Sequence, residues 1–362
     1  MLHVVRFLSG FLRHPRTRVV EDEVGISVKD ADIPATLFRP PGDAPLPGWL
    51  VLHGITVPGR HHAMLTRFAR ALAASGGTVI IPEITPWKEL RIDTYAADAT
   101  IAAAAAALAG RPDVLPGGIS LVGFSFGATQ ALVTAAHDQG SDQIRSVVGF
   151  GGYCDLATTL HFMMTGEHEW GGISYRLEPD PYGRWIVAAN YLTRASGYGD
   201  MAAVATAAAK LAAEAGRIGA YAADPLFDPF KAELRSELDP VERRIWDLLA
   251  PPIGTDPNRE AARELAGDLV QTALREDPAL NPMPILPHLR KPLVLAHGQA
   301  DQLIPFSETL RLRSLLPPDA PAHTYITRLF AHSTEVLRFP AHRYPIEIAR
   351  YLQLLRRALA RP

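Results

Sequence analysis

Gly123-Phe124-Ser125-Phe126-Gly127 fits the pattern G-x-S-x-G. The apolar run Ile119–Gly123 before it reads as a buried strand, and Ala128–Ala136 after it reads as a helix. Ser125 therefore falls on a sharp strand-to-helix turn, where its hydroxyl projects freely. Glycine on both flanks keeps neighbouring Cβ atoms out of that turn. The new helix aims its first amides at the place where an oxyanion would form. A serine hydroxyl is a weak nucleophile until a base takes its proton, and the base needs an acid to orient it. Asp301 stands in His297–Pro305 (HGQADQLIP), just after the apolar run Pro292–His297. His332 stands in Leu329–Ser333 (LFAHS), just after the strand-like run His323–Phe330. Both lie at the carboxyl ends of predicted strands, where open α/β sheets hold their ligands. Asp155, after the run Ile144–Phe150, is the alternative acid, and His342 is the alternative base.

The elements that must position these residues follow an α/β rhythm. Strands are expected over Val19–Val28, Pro34–Phe38, Gly48–Leu52, Thr78–Ile81, Ile119–Gly123 and Ile144–Phe150. Helices are expected over Ala63–Ala74, Tyr95–Leu108 and Ala128–Ala136. Continuous apolar strands alternating with helices predict a mostly parallel sheet covered on both faces. From Leu156 to Pro287 the rhythm breaks. No strand is read there, and helical pieces separated by Pro and Gly give an insertion of roughly 130 residues, too long for a plain loop. The rhythm resumes with Pro292–His297, a helix over Ser307–Leu315, the strand His323–Phe330 and a closing helix over Tyr344–Ala360. The expected domains are an amphipathic segment over 1–18, a discontinuous core over 19–155 and 288–362, and a helical cap over 156–287. The first segment, with Leu2, Val5, Leu8, Phe11 and Leu12 at helical spacing, is read as a helix packing on the body. The alternative is a helix that docks on a membrane surface or a partner.

Composition narrows the function classes. The 362 residues are 48% hydrophobic and 20% charged, with 36 Lys+Arg against 38 Asp+Glu. That balance excludes a disordered chain and gives no basic excess for nucleic acid. The single cysteine, Cys154, excludes an internal disulfide framework and a CxxC metal site, and fits a cytoplasmic setting. The uncharged stretch Val114–His137 is long enough for a membrane span, but its Pro and Gly breakers read as turn, strand, turn and helix.

In these motifs the chain resembles the α/β-hydrolase family: His53-Gly54 after the third strand, Gly123–Gly127 after the fifth, Gly298–Pro305 after the penultimate strand and Ala331-His332-Ser333 after the last. The resemblance covers Val19–Asp155 and Pro292–Ala360. It implies an eight-stranded, mostly parallel α/β sheet, a helical cap after the sixth strand, and no metal or organic cofactor. It also implies the chain order Ser125, Asp301, His332 for nucleophile, acid and base. The backbone amides of Ile55 and Phe126 would form the oxyanion hole. His53-Gly54-Ile55-Thr56 lacks the HGGG run of many lipases and esterases. The implied reaction is two-step acyl transfer on a carboxylic ester. The same triad could act on a thioester, an amide or a C–C bond, or transfer the acyl group to an alcohol. A non-catalytic small-molecule-binding protein on this fold is the reading from another class. Phe124, Phe162, Met163, Trp170, Tyr175 and Trp185 are the expected lining of an apolar pocket for an acyl or aromatic group.

Overall fold

The structure is a computed structural model that describes residues 2–13, 18–29, 31–138, 143–255, 257–332 and 344–360. His342 and Ser333 lie outside the described residues. The first half of the chain runs α1 (Leu2–Leu12), β1 (Val20–Val28), β2 (Ala31–Arg39), β3 (Gly48–Leu52), α2 (Ala63–Ala74), β4 (Thr78–Pro82), α3 (Thr85–Lys88), α4 (Thr94–Ala109), β5 (Ile119–Phe124), α5 (Phe126–His137) and β6 (Ile144–Phe150). There follow α6 (Leu156–Thr165), β7 (Glu167–Trp170), β8 (Ile173–Arg176), α7 (Tyr182–Tyr191), α8 (Ala202–Ile218), α9 (Asp228–Ser236), α10 (Pro240–Leu249) and α11 (Arg259–Glu276). The chain closes with β9 (Leu293–Gly298), α12 (Ser307–Leu315), β10 (Ala322–Thr327) and α13 (Pro345–Ala358).

Eight strands form one sheet in the order β1-β2-β4-β3-β5-β6-β9-β10. Only β2 runs antiparallel to its neighbours β1 and β4; the remaining pairs are parallel. Every residue of β3, β4 and β9 is buried. Helices cover both faces, as these continuous apolar runs require. The uncharged stretch ahead of His137 resolves into β5 and α5, and among the described residues no helix is long and apolar enough to cross a membrane. Helix α1 packs on α2 through buried Val4 and Phe7, with Gly10 close against Ala71. Leu2, Val5 and Leu12 face outward.

Between β6 and β9 the chain builds a second layer with its own apolar interior around Trp185, Trp246, Leu211 and Leu265. Buried Arg184 ties this layer together. Its Nε donates to Leu249 O (2.7 Å) and its Nη1 to Met163 O (2.9 Å), while Trp185 Nε1 donates to the same Leu249 carbonyl (2.8 Å). The cluster continues into the loops after the strand ends. It takes in Ile55 after β3, Leu90 after β4, Phe126 after β5, Tyr153 after β6, and Leu303 and Ile304 after β9. The helical layer therefore sits over the carboxyl edge of the sheet. It is not wholly helical: β7 and β8 form a hairpin that the sequence reading missed. Gly171 and Gly172 make its turn with φ of 59° and 77°, the backbone that a two-residue hairpin turn demands.

Trp246 has no exposed surface inside this layer. Trp246→Ala is expected to cost ~3–5 kcal/mol, read as a lowered midpoint in equilibrium urea unfolding.

Candidate active site

Ser125 stands between β5 and α5 with φ 55° and ψ −128°. That conformation costs a non-glycine residue ~1–3 kcal/mol and persists only where neighbours over-determine it. Here they do. Ser125 N–H donates to Phe150 O (2.8 Å) and Ala128 N–H to Ser125 O (2.9 Å). A Cβ on Gly123 would lie 2.2 Å from Gly127 O, and one on Gly127 would lie 2.4 Å from His53 O. Both positions therefore exclude any side chain, and the loop after β3 can press directly on the turn.

That loop carries the oxyanion candidates. His53 is buried, and burial pushes its pKa down to about 4, so the ring is neutral. Its Nε2 accepts Ile84 N–H (3.1 Å), which leaves the proton on Nδ1, donated to Gly54 O (2.7 Å). The peptide is planar and trans, so anchoring the Gly54 carbonyl turns the Ile55 N–H the opposite way. A Cβ on Gly54 would lie 3.2 Å from Ser125 Cβ and 3.6 Å from Ser125 Oγ, so this peptide flanks the serine. Phe126 is the first residue of α5, where an amide has no intrahelical acceptor.

Asp301 is buried in the loop after β9. Its Oδ1 accepts Leu303 N–H (2.9 Å) and Ile304 N–H (3.0 Å), and its Oδ2 accepts His332 Nδ1–H (2.7 Å). His297 Nε2, which donates to Ile304 O (2.9 Å), lies 3.2 Å from the same Oδ2. Burial alone would raise the Asp301 pKa. The charge of His332 and the hydrogen bonds from His297 and His332 outweigh it and hold the carboxyl well below the usual carboxylate range. For His332 burial acts downward, yet Asp301, by charge and hydrogen bond, and the charge of Asp180 lift it above its ordinary 6.5. With its proton on Nδ1, neutral His332 keeps a lone pair on Nε2. A Cβ on Gly151, which follows the Phe150 carbonyl that holds Ser125, would lie 3.4 Å from Asp301 Oδ2 and 3.6 Å from His332 Nδ1. The serine turn, the acid and the imidazole thus converge on the end of β6. The arrangement can take a proton from a hydroxyl and stabilise the resulting imidazolium.

The rival acid is otherwise engaged. Asp155 Oδ1 accepts Ala157 N–H (2.8 Å) as the N-cap of α6, and its own N–H goes to Glu308 Oε2 (2.7 Å). The expected pocket residues divide. Phe162 and Trp185 have no exposed surface and are packing residues of the helical layer, which corrects their reading as pocket lining. Tyr175 stacks on His168 and meets Phe306, anchoring the hairpin, and Trp170 ends β7 half-buried. Phe124 lies in a stack with Phe150, their centroids 5.0 Å apart, with Phe68 against its edge. Met163 packs at Gly183 beside Leu303. Ile55, Val57, Phe126, Tyr182 and Leu303 are the half-buried apolar groups that meet the helical layer here, and Val57, Tyr182, Leu303 and nearby Asp180 escaped the sequence reading. Among the described residues no cluster of three or more His, Cys, Asp or Glu could hold a metal.

No family model and no curated protein sequence matches this chain. Solved structures do resemble it. Brefeldin A esterase, a bacterial homologue of human hormone-sensitive lipase, aligns with a TM-score of 0.52 at 15% identity, over 98% of this chain and 83% of that one. An esterase from Pyrococcus furiosus aligns with a TM-score of 0.51 at 14% identity, over 94% and 92%. The acylaminoacyl peptidase of Pyrococcus horikoshii aligns with 0.51 at 13% identity over 96% of this chain, which spans only 43% of that peptidase.

In Asp301→Asn the larger of the two charges that lift the imidazole is gone, while burial and the smaller pull of Asp180 remain, so its pKa is expected to fall. Titration of the His332 ring signals by NMR measures both values.

Proposed function

On the α/β-hydrolase fold that this chain adopts, we propose a serine hydrolase that cleaves a carboxylic ester through an acyl-enzyme. The carrying observation is the 2.7 Å bond between Asp301 and His332 Nδ1, which leaves Nε2 as a base on the same sheet edge as the strained Ser125 turn. His332 takes the proton of Ser125 as its Oγ attacks the acyl carbon. Asp301 holds the imidazole in its tautomer and stabilises the imidazolium. The Ile55 and Phe126 amides receive the oxyanion; one such donor contributes ~2.7–4 kcal/mol to the transition state. His332 then protonates the leaving alcohol, and a water activated by the same Nε2 releases the acid.

The substrate is a small ester with an apolar acyl or aromatic part, in keeping with Ile55, Val57, Phe126 and Leu303 under the helical layer. The layer over 156–287 acts as the cap on a core formed by 19–155 and 288–362. Two of the structures that resemble the chain are named as esterases and one as a peptidase. The lone Cys154, buried and free, supports a cytoplasmic location.

A fluorophosphonate probe is expected to label Ser125, with the label lost in Ser125→Ala and mapped by peptide mass spectrometry. Label without turnover of p-nitrophenyl esters would move the reading to another acyl bond, and no label in folded protein would overturn it. Turnover needs neutral His332, whose pKa is raised. The acid limb of kcat/KM is therefore expected to have its midpoint above pH 6.5, and Asp301→Asn to lower kcat by roughly 10⁴-fold.

A further inference from the structure

The loop after β3 carries the Gly54 peptide, and its far end is fixed by a buried charge cluster. Glu83, just after β4, and Arg60 are 3% and 8% exposed. Arg60 N–H donates to Glu83 Oε1 (3.3 Å), and Arg60 Nε lies 3.6 Å from Glu83 Oε2. Lys88 Nζ donates to the same Oε2 (3.1 Å). Arg60 Nη1 donates to Glu23 Oε1 of β1 (2.8 Å) and to the Thr36 hydroxyl of β2. Two carboxylates thus face two cations. The backbone lies directly on this cluster. Gly59 has φ 52°, and a Cβ there would stand 2.1 Å from Glu83 Oε1.

The cluster is one of three ties between this loop and the segment 83–88. His53 Nε2 accepts Ile84 N–H (3.1 Å), and Thr56 N–H donates to Trp87 O (3.2 Å). Gly54 and Ile55 are strung between those two ties, and Arg60 on Glu83 makes the third. Gly59 N–H donates to Thr56 O (2.9 Å), so the second and third ties are coupled. The segment 83–88 also reaches the other side of the serine turn. The buried Trp87 ring meets His53 edge-on, with centroids 5.6 Å apart, and meets Phe126 edge-on at 5.2 Å. Glu83 N–H donates to Pro34 O (2.8 Å), which roots the segment in the sheet beside β2.

We infer that Glu83 is a positioning residue for the oxyanion site, holding the loop of Ile55 from behind through Arg60 and Lys88. A buried ion pair adds little net stability, because desolvation offsets its attraction, yet losing one partner strands the other. The contribution of this cluster is to allow the loop one position. A small displacement of that loop would move the Ile55 amide away from the developing charge while leaving Asp301 and His332 in place. This inference rests on the serine hydrolase reading, with Ile55 and Phe126 as its oxyanion donors.

Pentyl trifluoromethyl ketone and pentyl methyl ketone test it. Ser125 Oγ adds to the trifluoroketone carbonyl carbon, the Ser125 proton passes to His332, and the carbonyl oxygen becomes an oxyanion; the methyl ketone binds without that adduct. Glu83→Gln keeps the shape of the side chain and an oxygen for the Arg60 amide. In this variant the trifluoroketone inhibition constant is expected to rise at least about tenfold, in step with a fall in kcat/KM. The methyl ketone constant and the acid-limb midpoint of kcat/KM are expected to stay at their wild-type values. A merely structural role would lower the unfolding midpoint with no such selective loss. Lys88→Met, at the half-exposed edge of the cluster, is expected to show the same selective loss at smaller size. It decides the matter should Glu83→Gln fail to fold. Equal losses for the two ketones, or no loss in a folded variant, would overturn the assignment and leave the hydrolase reading standing. A wild-type chain that neither binds the trifluoroketone nor reacts with a fluorophosphonate would remove both.

Discussion

The site depends on one buried charge. A carboxylate out of water is tolerated only when donors replace its hydration. Asp301 has four within reach: two backbone amides, His332 Nδ1 and His297 Nε2. Each ties a separate piece of chain to the end of β9. The amides curl the loop Leu303–Ile304 back on the acid. His297 belongs to the strand itself, and its other nitrogen meets Thr309 of α12 (2.7 Å). His332 arrives from beyond β10 and meets the acid through its Nδ1. The imidazole tautomer, the loop and, through His297, the start of α12 are therefore all tied to a single desolvated group.

The same loop carries the helical layer. Leu303 and Ile304 pack into the interior of that layer, and Gln302 is bonded to the strap before α7. The opposite border rests on the loop after β3, where Val57 lies against α8 at Gly216. The layer thus touches both the acid side and the oxyanion side of the serine turn. Motion of the layer would be felt by the acid loop and by the Gly54 peptide at once, which makes layer and candidate site one mechanical unit.

Much of this was legible in the sequence, for identifiable reasons. The strands were readable because a parallel sheet covered on both faces must be built from unbroken apolar runs, as in Gly48–Leu52 and Leu293–Gly298. Ser125, Asp301 and His332 drew attention as candidates because each stands just past such a run. The predicted end of the last strand was wrong by three residues: β10 stops at Thr327, whose hydroxyl accepts Leu329 N–H (3.1 Å) and turns the chain toward His332. The β7–β8 hairpin was missed although Gly171-Gly172 announced it, because its flanking residues are too polar to look like strands. The pocket was least legible. Aromatic size made Trp185 and Phe162 look like ligand surface, yet size alone favours burial, and both went into the core of the layer. The role of Asp180 in the fold was invisible because a Pro-Asp-Pro stretch reads as a turn, and only the fold bonds that turn to the loop of Asp301.

Polar groups in this layer therefore carry more information than its aromatic ones. An aromatic ring is stable wherever it is covered, so its presence says little about a ligand. A buried carboxylate is stable only with partners, so the partners it has fix the chain around it. Asp155 and Asp180 make the contrast. Both sit at the entry to a helix and give one oxygen to an amide two residues on. Asp155 is half-open at the start of α6, with its own amide on Glu308, and needs nothing further. Asp180 is half-buried too, and its own amide goes to Gln302 O (2.7 Å) in the loop of Asp301. The same capping device thus fixes the entry to α6 through Glu308 on one side and ties the segment before α7 to the loop of Asp301 on the other.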